Sequence, residues 1–218
     1  MEQKQNVHAF TNLINLAAER FGAKVLWCTD DFFAEKENLI KAENPVFIPE
    51  KFTERGKWMD GWESRRKRTE GHDMAIIQLG APGVIKGFDV DTSHFLGNQP
   101  EYCTIEACYA PDGDWEKAAW VEVLGKTVLQ PGAHHFVESA VSPQLSAAGR
   151  GGRQPDNQQR TTDNLFTHVK LHIYPDGGVA RFRVYGEARR DWAAVPAGEL
   201  VDLAAAQNGA LAIQCNDM

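Results

Sequence analysis

The chain has 218 residues, 43% hydrophobic and 24% charged, with 30 acids against 23 bases for a net charge of −7. This is ordinary globular composition and excludes a disordered chain, and the lack of any run of about 18 apolar residues excludes a membrane-spanning helix. The acidic balance is the opposite of what a general nucleic-acid binder needs, so neither nucleic acid nor membrane is expected as a partner, while a local basic pocket for a small anion stays open.

In chain order, Val7, Phe10, Leu13, Ile14, Ala17, Ala18 and Phe21 recur at steps of three and four and Gly22 suits a helix stop, so a short N-terminal helix is predicted over 7–21. A short apolar strand follows at 23–28, and Asp30-Asp31-Phe32-Phe33 opens a long irregular stretch. Strands are predicted at 74–79, 87–91, 102–109 and 121–128, with turn signals between them at Ala81-Pro82-Gly83, Gly97-Asn98-Gln99-Pro100 and Pro111-Asp112-Gly113-Asp114. Two more, 167–174 and 179–185, flank Pro175-Asp176-Gly177-Gly178, a strong hairpin signal. Short strands at this spacing imply an all-β sandwich or jelly roll. The Gly-, Gln-, Arg- and Pro-rich residues 143–163 read as a flexible surface loop, since strands resume after it.

An internal repeat organises the chain. Leu13-Ile14-Asn15-Leu16-Ala17-Ala18 returns as Leu200-Val201-Asp202-Leu203-Ala204-Ala205, Gly22-Ala23 as Gly209-Ala210, and Cys28-Thr29-Asp30 as Cys215-Asn216-Asp217, all at one fixed offset. The expected division is therefore one complete unit over 1–190, then a linker helix and the first strand of a truncated second unit over 191–218. The 4 cysteines are too few for a disulfide scaffold, and Cys103 and Cys108, an odd number of residues apart on a predicted strand, should face opposite ways. Reduced thiols and the lack of a visible signal peptide suggest a cytoplasmic protein.

Residues 53–73 hold the densest functional signal: bases and acids interleaved with Trp58, Trp62 and three glycines, without helical or strand period. A loop this long costs entropy to order and is often functional. Arg65 and Arg66 suit bidentate carboxylate binding, against the plainer reading of a solvated basic run, and either tryptophan serves equally well as loop packing. In the second cluster a strand carries Asp89 and Asp91 to one face, and His94 beside Asp91 suggests an acid–base pair; a self-satisfied polar turn is the plainer account. Asp30 and Asp31 repel one another, so at least one needs a partner or solvent. His168 and His172, spaced like a metal-binding pair, would lie about 13 Å apart on a strand, too far to share a zinc. His134 and His135 would point apart, and Ala148-Gly149-Arg150-Gly151-Gly152-Arg153 is a weak phosphate candidate. No phosphate-loop, nucleophile-elbow, zincin or dinucleotide motif is present, and no cofactor or metal is called for.

Several long motifs carry a family resemblance. Asp30-Asp31-Phe32-Phe33-Ala34 with Glu37-Asn38-Leu39, the run from Gly56 to Arg66, Gly71-His72-Asp73, the run from Asp89 to Asn98, and the run from Tyr174 to Gly186 are similar to allantoicase. The resemblance covers nearly the whole chain. It implies two similar repeats, each a jelly-roll sandwich like the galactose-binding modules, with most of the second repeat missing here. It also implies hydrolysis of allantoate to ureidoglycolate and urea in purine catabolism. On that basis Arg65 or Arg66 would clamp the substrate carboxylate, Asp60 and Glu63 would accept ureido N–H bonds, and His94 or Asp91 would assist proton transfer. Trp58, Trp62, Asp30, Asp31, His72 and Asn98 would complete the substrate site. Two other readings compete: a non-catalytic ligand-binding sandwich, inactive without its second repeat, and a homo-oligomer whose assembly replaces that repeat.

Overall fold

The structure is a computed structural model and describes residues 8–140, 164–190, 192 and 195–210. The loop expected over 143–163 lies outside the described residues, as do Cys215 and the strand expected to end the chain. The described strands are β1 (Ile14–Asn15), β2 (Lys24–Cys28), β3 (Phe52–Thr53), β4 (Gly56–Lys57), β5 (Trp62–Glu63) and β6 (Asp73–Asp91), then β7 (Tyr102–Cys108), β8 (Val121–Val128), β9 (His134–Glu138), β10 (Phe166–Tyr174), β11 (Gly178–Val179) and β12 (Arg181–Ala188). The fold is the expected all-β sandwich with almost no helix.

Two strands expected at 74–79 and 87–91 are a single strand, the 19-residue β6. Its first part pairs with β2 and β10, and its second part with β12 and β9, so one segment serves both layers. Ala81-Pro82-Gly83 sits where the partners change, a place where a missing N–H is tolerated. The hairpin expected around Pro175-Asp176-Gly177-Gly178 is not formed. β10 pairs with β6 and β7, and β12 with β6 and β1, so the two flanking strands are not neighbours. The glycines instead let β11 pair with β5, Gly178 opposite Glu63 and Val179 opposite Trp62.

The helix expected over 7–21 is also replaced. Two short 3-10 turns, Ala9–Asn12 and Glu19–Phe21, flank β1. Asn15 accounts for the difference: its side-chain oxygen accepts the N–H groups of Ala17 (3.1 Å) and Val184 (3.0 Å), which draws the segment onto the sheet instead of into a helix. Leu16 N–H donates to Val184 O at 2.7 Å, and Leu16 O accepts Gly80 N–H at 2.9 Å. The Leu16 side chain is fully buried, filling a notch left by Gly83 and Gly186, where an added Cβ would stand 2.6 and 2.8 Å from it.

Two segments of the repeated sequence motif have similar backbones. Ala206–Asn208 forms the same 3-10 turn as Glu19–Phe21, flanked by Ala205 and Ala18 with identical φ −70° and ψ 132° and closed by Gly209 (φ 91°) and Gly22 (φ 102°). Ala204 N–H donates to the Asp202 side chain as Ala17 N–H does to Asn15, at 2.8 and 3.1 Å. Burial differs: Leu203, the counterpart of Leu16, is 73% exposed. The linker helix expected beyond residue 190 is this 3-10 turn.

The core lies between the layers, with Ile77, Phe88, Ile105, Leu171, Phe182 and Trp62 fully buried. Cys103 and Cys108 are both buried and, with Cys28, free. A smaller apolar cluster of Ala34, Met59, Phe95 and Ala180 stands apart and underlies the region described next.

Candidate active site

The strand β5 sits between two partners. Glu63 N–H donates to Ala34 O at 3.1 Å, Glu63 O accepts from Phe33 and Ala34, and Ser64 N–H donates to Gly177 O at 3.2 Å. Trp62, with no exposed surface, points into the core and donates its indole N–H to Asp30 O at 2.8 Å. Alternation along the strand then turns the neighbouring Glu63 outward. Gly178 N–H donates to Asn98 O at 2.7 Å, and the Asn98 amide donates to Glu63 Oε1 at 2.7 Å. The Gly177-Gly178 turn thus holds Glu63 and Asn98 against one another.

His94 comes from the turn after β6. Phe95 N–H closes that turn on Thr92 O at 3.0 Å, and the Asp91 side chain accepts Ser93 N–H at 2.9 Å. His94 itself has φ +70° and, among the described residues, is the one non-glycine in the left-handed region. Such a conformation costs of order 1–3 kcal/mol and persists where the surroundings impose it, often at functional sites. Its imidazole Nε2 meets Pro45 O at 3.2 Å, and its ring stacks on Phe47 at 5.7 Å between centroids.

These elements line an open cavity of about 430 Å³, bounded by Glu63, His94, Asn98 and Lys57 with Phe33, Met59, Leu96 and Gly97; His94 and Asn98 are exposed at its mouth. That volume suits a small molecule. Burial pushes the Glu63 carboxyl above the ordinary carboxylate range, and the Asn98 hydrogen bond only partly opposes it. The cation of the cavity is Lys57, whose ammonium is held by Pro49 O and lies 4.6 Å from the Phe52 ring centroid.

Three of the residues expected at the site, Glu63, His94 and Asn98, therefore meet at one cavity. The others lie elsewhere. Arg65 is exposed and pairs with Asp30 (Nη2 to Oδ2, 2.6 Å), and Arg66 is exposed too, so the arginine clamp expected over the cup is absent from its walls. Asp31 meets Lys36 at 3.7 Å, and Trp58 lies under the Lys51 ammonium at 3.6 Å. Asp60 is buried against Arg181 at 2.8 Å. For Asp60, burial pushes the carboxyl up, but the Arg181 hydrogen bond and the Val46 N–H outweigh it and hold it below the usual range. Asp91 is fully buried, meets Arg183 at 3.4 Å, and forms no pair with His94. His72 belongs to an outer-face ladder, its Nε2 2.8 Å from His172 Nδ1, with His172 Nε2 2.9 Å from Glu106. Lys57 and Phe33 stand inside the quoted motifs but carry no distinguishing spacing; only their enclosure in the cavity marks them. Burial pushes the Cys103 thiol up to about 12 and the Cys108 thiol up to about 11, which disfavours the reactive thiolate at both.

A β-sandwich with a small-molecule cavity at its rim is the class of protein defined here. The family profile described as "Allantoicase repeat" matches residues 14–189, and the chain belongs to that family. "Probable allantoicase 1" of Burkholderia mallei is 45% identical over 214 residues, 97% of this chain and 57% of the relative. A solved structure described as "Structure of allantoicase" aligns with TM-score 0.68 and 30% identity over 91% of this chain and 53% of its own. A CBM32 module from a Clostridium perfringens glycoside hydrolase aligns with TM-score 0.50 over 81% of this chain and 96% of its own; at 10% identity that likeness is of fold alone. The chain spans a little over half the length of the curated relative.

Proposed function

We propose that the cavity of Glu63, His94, Asn98 and Lys57 hydrolyses allantoate to ureidoglycolate and urea. The observation that carries this reading is the meeting of Glu63 and the pair His94 and Asn98, from two motifs about thirty residues apart, at one cavity sized for a small anion. The substrate has a carboxylate and two ureido groups on one carbon. Lys57 would receive the carboxylate, and the side-chain oxygen of Asn98 a ureido N–H. His94 would take a proton from the water that attacks the central carbon, and Glu63, whose carboxyl burial pushes upward, would give one to the departing urea nitrogen. One water enters, one C–N bond breaks, and urea leaves neutral.

The direct test is urea release when the purified chain meets allantoate. Steady turnover supports the reading; saturable binding without turnover supports the ligand-binding sandwich in its place.

The repeat supports a second proposal: residues 1–190 form one repeat and residues 191–218 open another. The matched turns and hydrogen bonds support it, as does the exposure of Leu203 where Leu16 is buried. In chemical denaturation Leu16→Ala should cost about 2–5 kcal/mol and Leu203→Ala less than about 0.5 kcal/mol. Equal costs would contradict the division. The free, buried thiols favour a reducing compartment such as the cytoplasm; among the described residues no helix is long and apolar enough to cross a membrane.

A further inference from the structure

The buried pair Asp60–Arg181 lies outside the cavity lining, yet its contacts converge on the loop that touches His94. Arg181, 1% exposed, donates from Nη2 to Asp60 Oδ2 (2.8 Å), from Nη1 to Asp60 O (2.9 Å) and to Ala180 O (2.7 Å), and from Nε to Glu43 O (2.9 Å). Asp60 Oδ2 also accepts Val46 N–H at 3.0 Å. The pair therefore grips the chain on both sides of Pro45, at Glu43 and at Val46. A proline has no N–H with which to anchor itself, so its position depends on these neighbours. Its carbonyl meets His94 Nε2 at 3.2 Å.

A carbonyl oxygen only accepts, so the nitrogen facing it must carry the proton. The neutral imidazole is then the Nε2–H tautomer and its basic nitrogen is Nδ1, which has no hydrogen-bond partner among the described residues. We infer that Asp60 and Arg181 are positioning residues for His94: by clamping residues 43–46 they hold the Pro45 carbonyl on Nε2, fix the tautomer and ring direction, and leave Nδ1 to take the proton from water. This deepens the proposed function and rests on it for the role of His94. The assignment of the proton on Nε2 stands without it. Asp60, expected from sequence to touch substrate, would act here through the loop.

The test has two readouts. The first is the nitrogen–proton correlation spectrum of the histidine side chains, with the His94 signal assigned by its loss in His94→Gly. The parent should show His94 as the Nε2–H tautomer, read from its two ring-nitrogen shifts, and this preference should relax toward that of a free imidazole in Asp60→Asn and in Val46→Pro. The second is urea release across pH. Both variants should lose about 10- to 100-fold in kcat, with KM changing far less, because a catalytic group displaced by about an ångström loses orientation more than binding. Val46→Pro removes the N–H that Asp60 Oδ2 accepts and disturbs no buried charge, so it decides the matter if Asp60→Asn fails to fold. An Nε2–H preference that survives unchanged in Val46→Pro, or is missing from the parent, overturns the inference. If the parent releases no urea while the tautomer behaves as expected, the clamp stands and the assigned reaction fails.

Discussion

Two polar regions of this sandwich lie a few residues apart and are built on opposite principles. Along β6 and β12, Asp89 and Asp91 are buried but balanced: Arg183 reaches them at 2.9 and 3.4 Å, and His134 meets Asp89 at 3.0 Å. In the cavity, Glu63 has an amide donor and no ion-pair partner among the described residues, and His94 keeps a strained backbone with one ring nitrogen unengaged. Saturated charges hold a shape. Under-partnered groups at the rim of a largely apolar cavity are left to be completed by a ligand, which is why the cavity and not the denser charge network is the proposed centre of chemistry.

The largest expected effect comes from breaking the balanced region. Arg183→Met leaves two buried carboxylates facing only His134, and should cost about 3–5 kcal/mol in denaturant unfolding. A loss under about 1 kcal/mol would show that the network is not what holds these strands, and the contrast would fail. Next is Glu63→Gln, which keeps size and the Asn98 contact but removes the transferable proton. Urea release should fall roughly 100-fold or more, with unfolding free energy nearly unchanged. The smallest effect is a pH dependence. The hydrogen bond to Asp89, aided by both carboxylates, raises the His134 pKa above its ordinary 6.5 despite partial burial. Its contribution to stability is thus full below that value and is lost as pH rises through the raised pKa. Melting temperatures at acid and alkaline pH should differ in the parent, and His134→Gln should remove that part of the difference.

How much of this was legible depends on what each residue's pattern reports. The strands β2, β7, β8 and β10 were readable because apolar residues alternate along them or run unbroken, and periodicity is the direct signature of a sheet face. The N-terminal segment misled because a helix and a strand flanked by 3-10 turns both place Phe10, Ala17 and Phe21 on a buried side; the deciding contact, Asn15 to Val184, is 169 residues long. Pro175-Asp176-Gly177-Gly178 carried a hairpin's chemistry, but its free backbone groups are used by Glu63, Ser64 and Asn98, which no local rule foresees. At the site, Glu63, His94 and Asn98 stood out by residue type within long motifs. The exposed arginines stood out for the same reason, and charge alone does not say which side chains face a cavity. Arg181 and Arg183 lay unremarked in an alternating strand, because a buried arginine and an exposed one look alike until its carboxylates are in place.

The most direct test of the central claim is urea release from allantoate by His94→Gly, measured beside its unfolding free energy. Glycine adopts φ +70° without strain, so the fold should stay within about 1 kcal/mol of the parent. Catalysis should nevertheless fall by roughly 100-fold or more, since the group that takes the proton is gone. A folded His94→Gly chain that releases urea at the parent's rate would show that His94 merely shapes its turn, and that the chemistry lies outside this cavity.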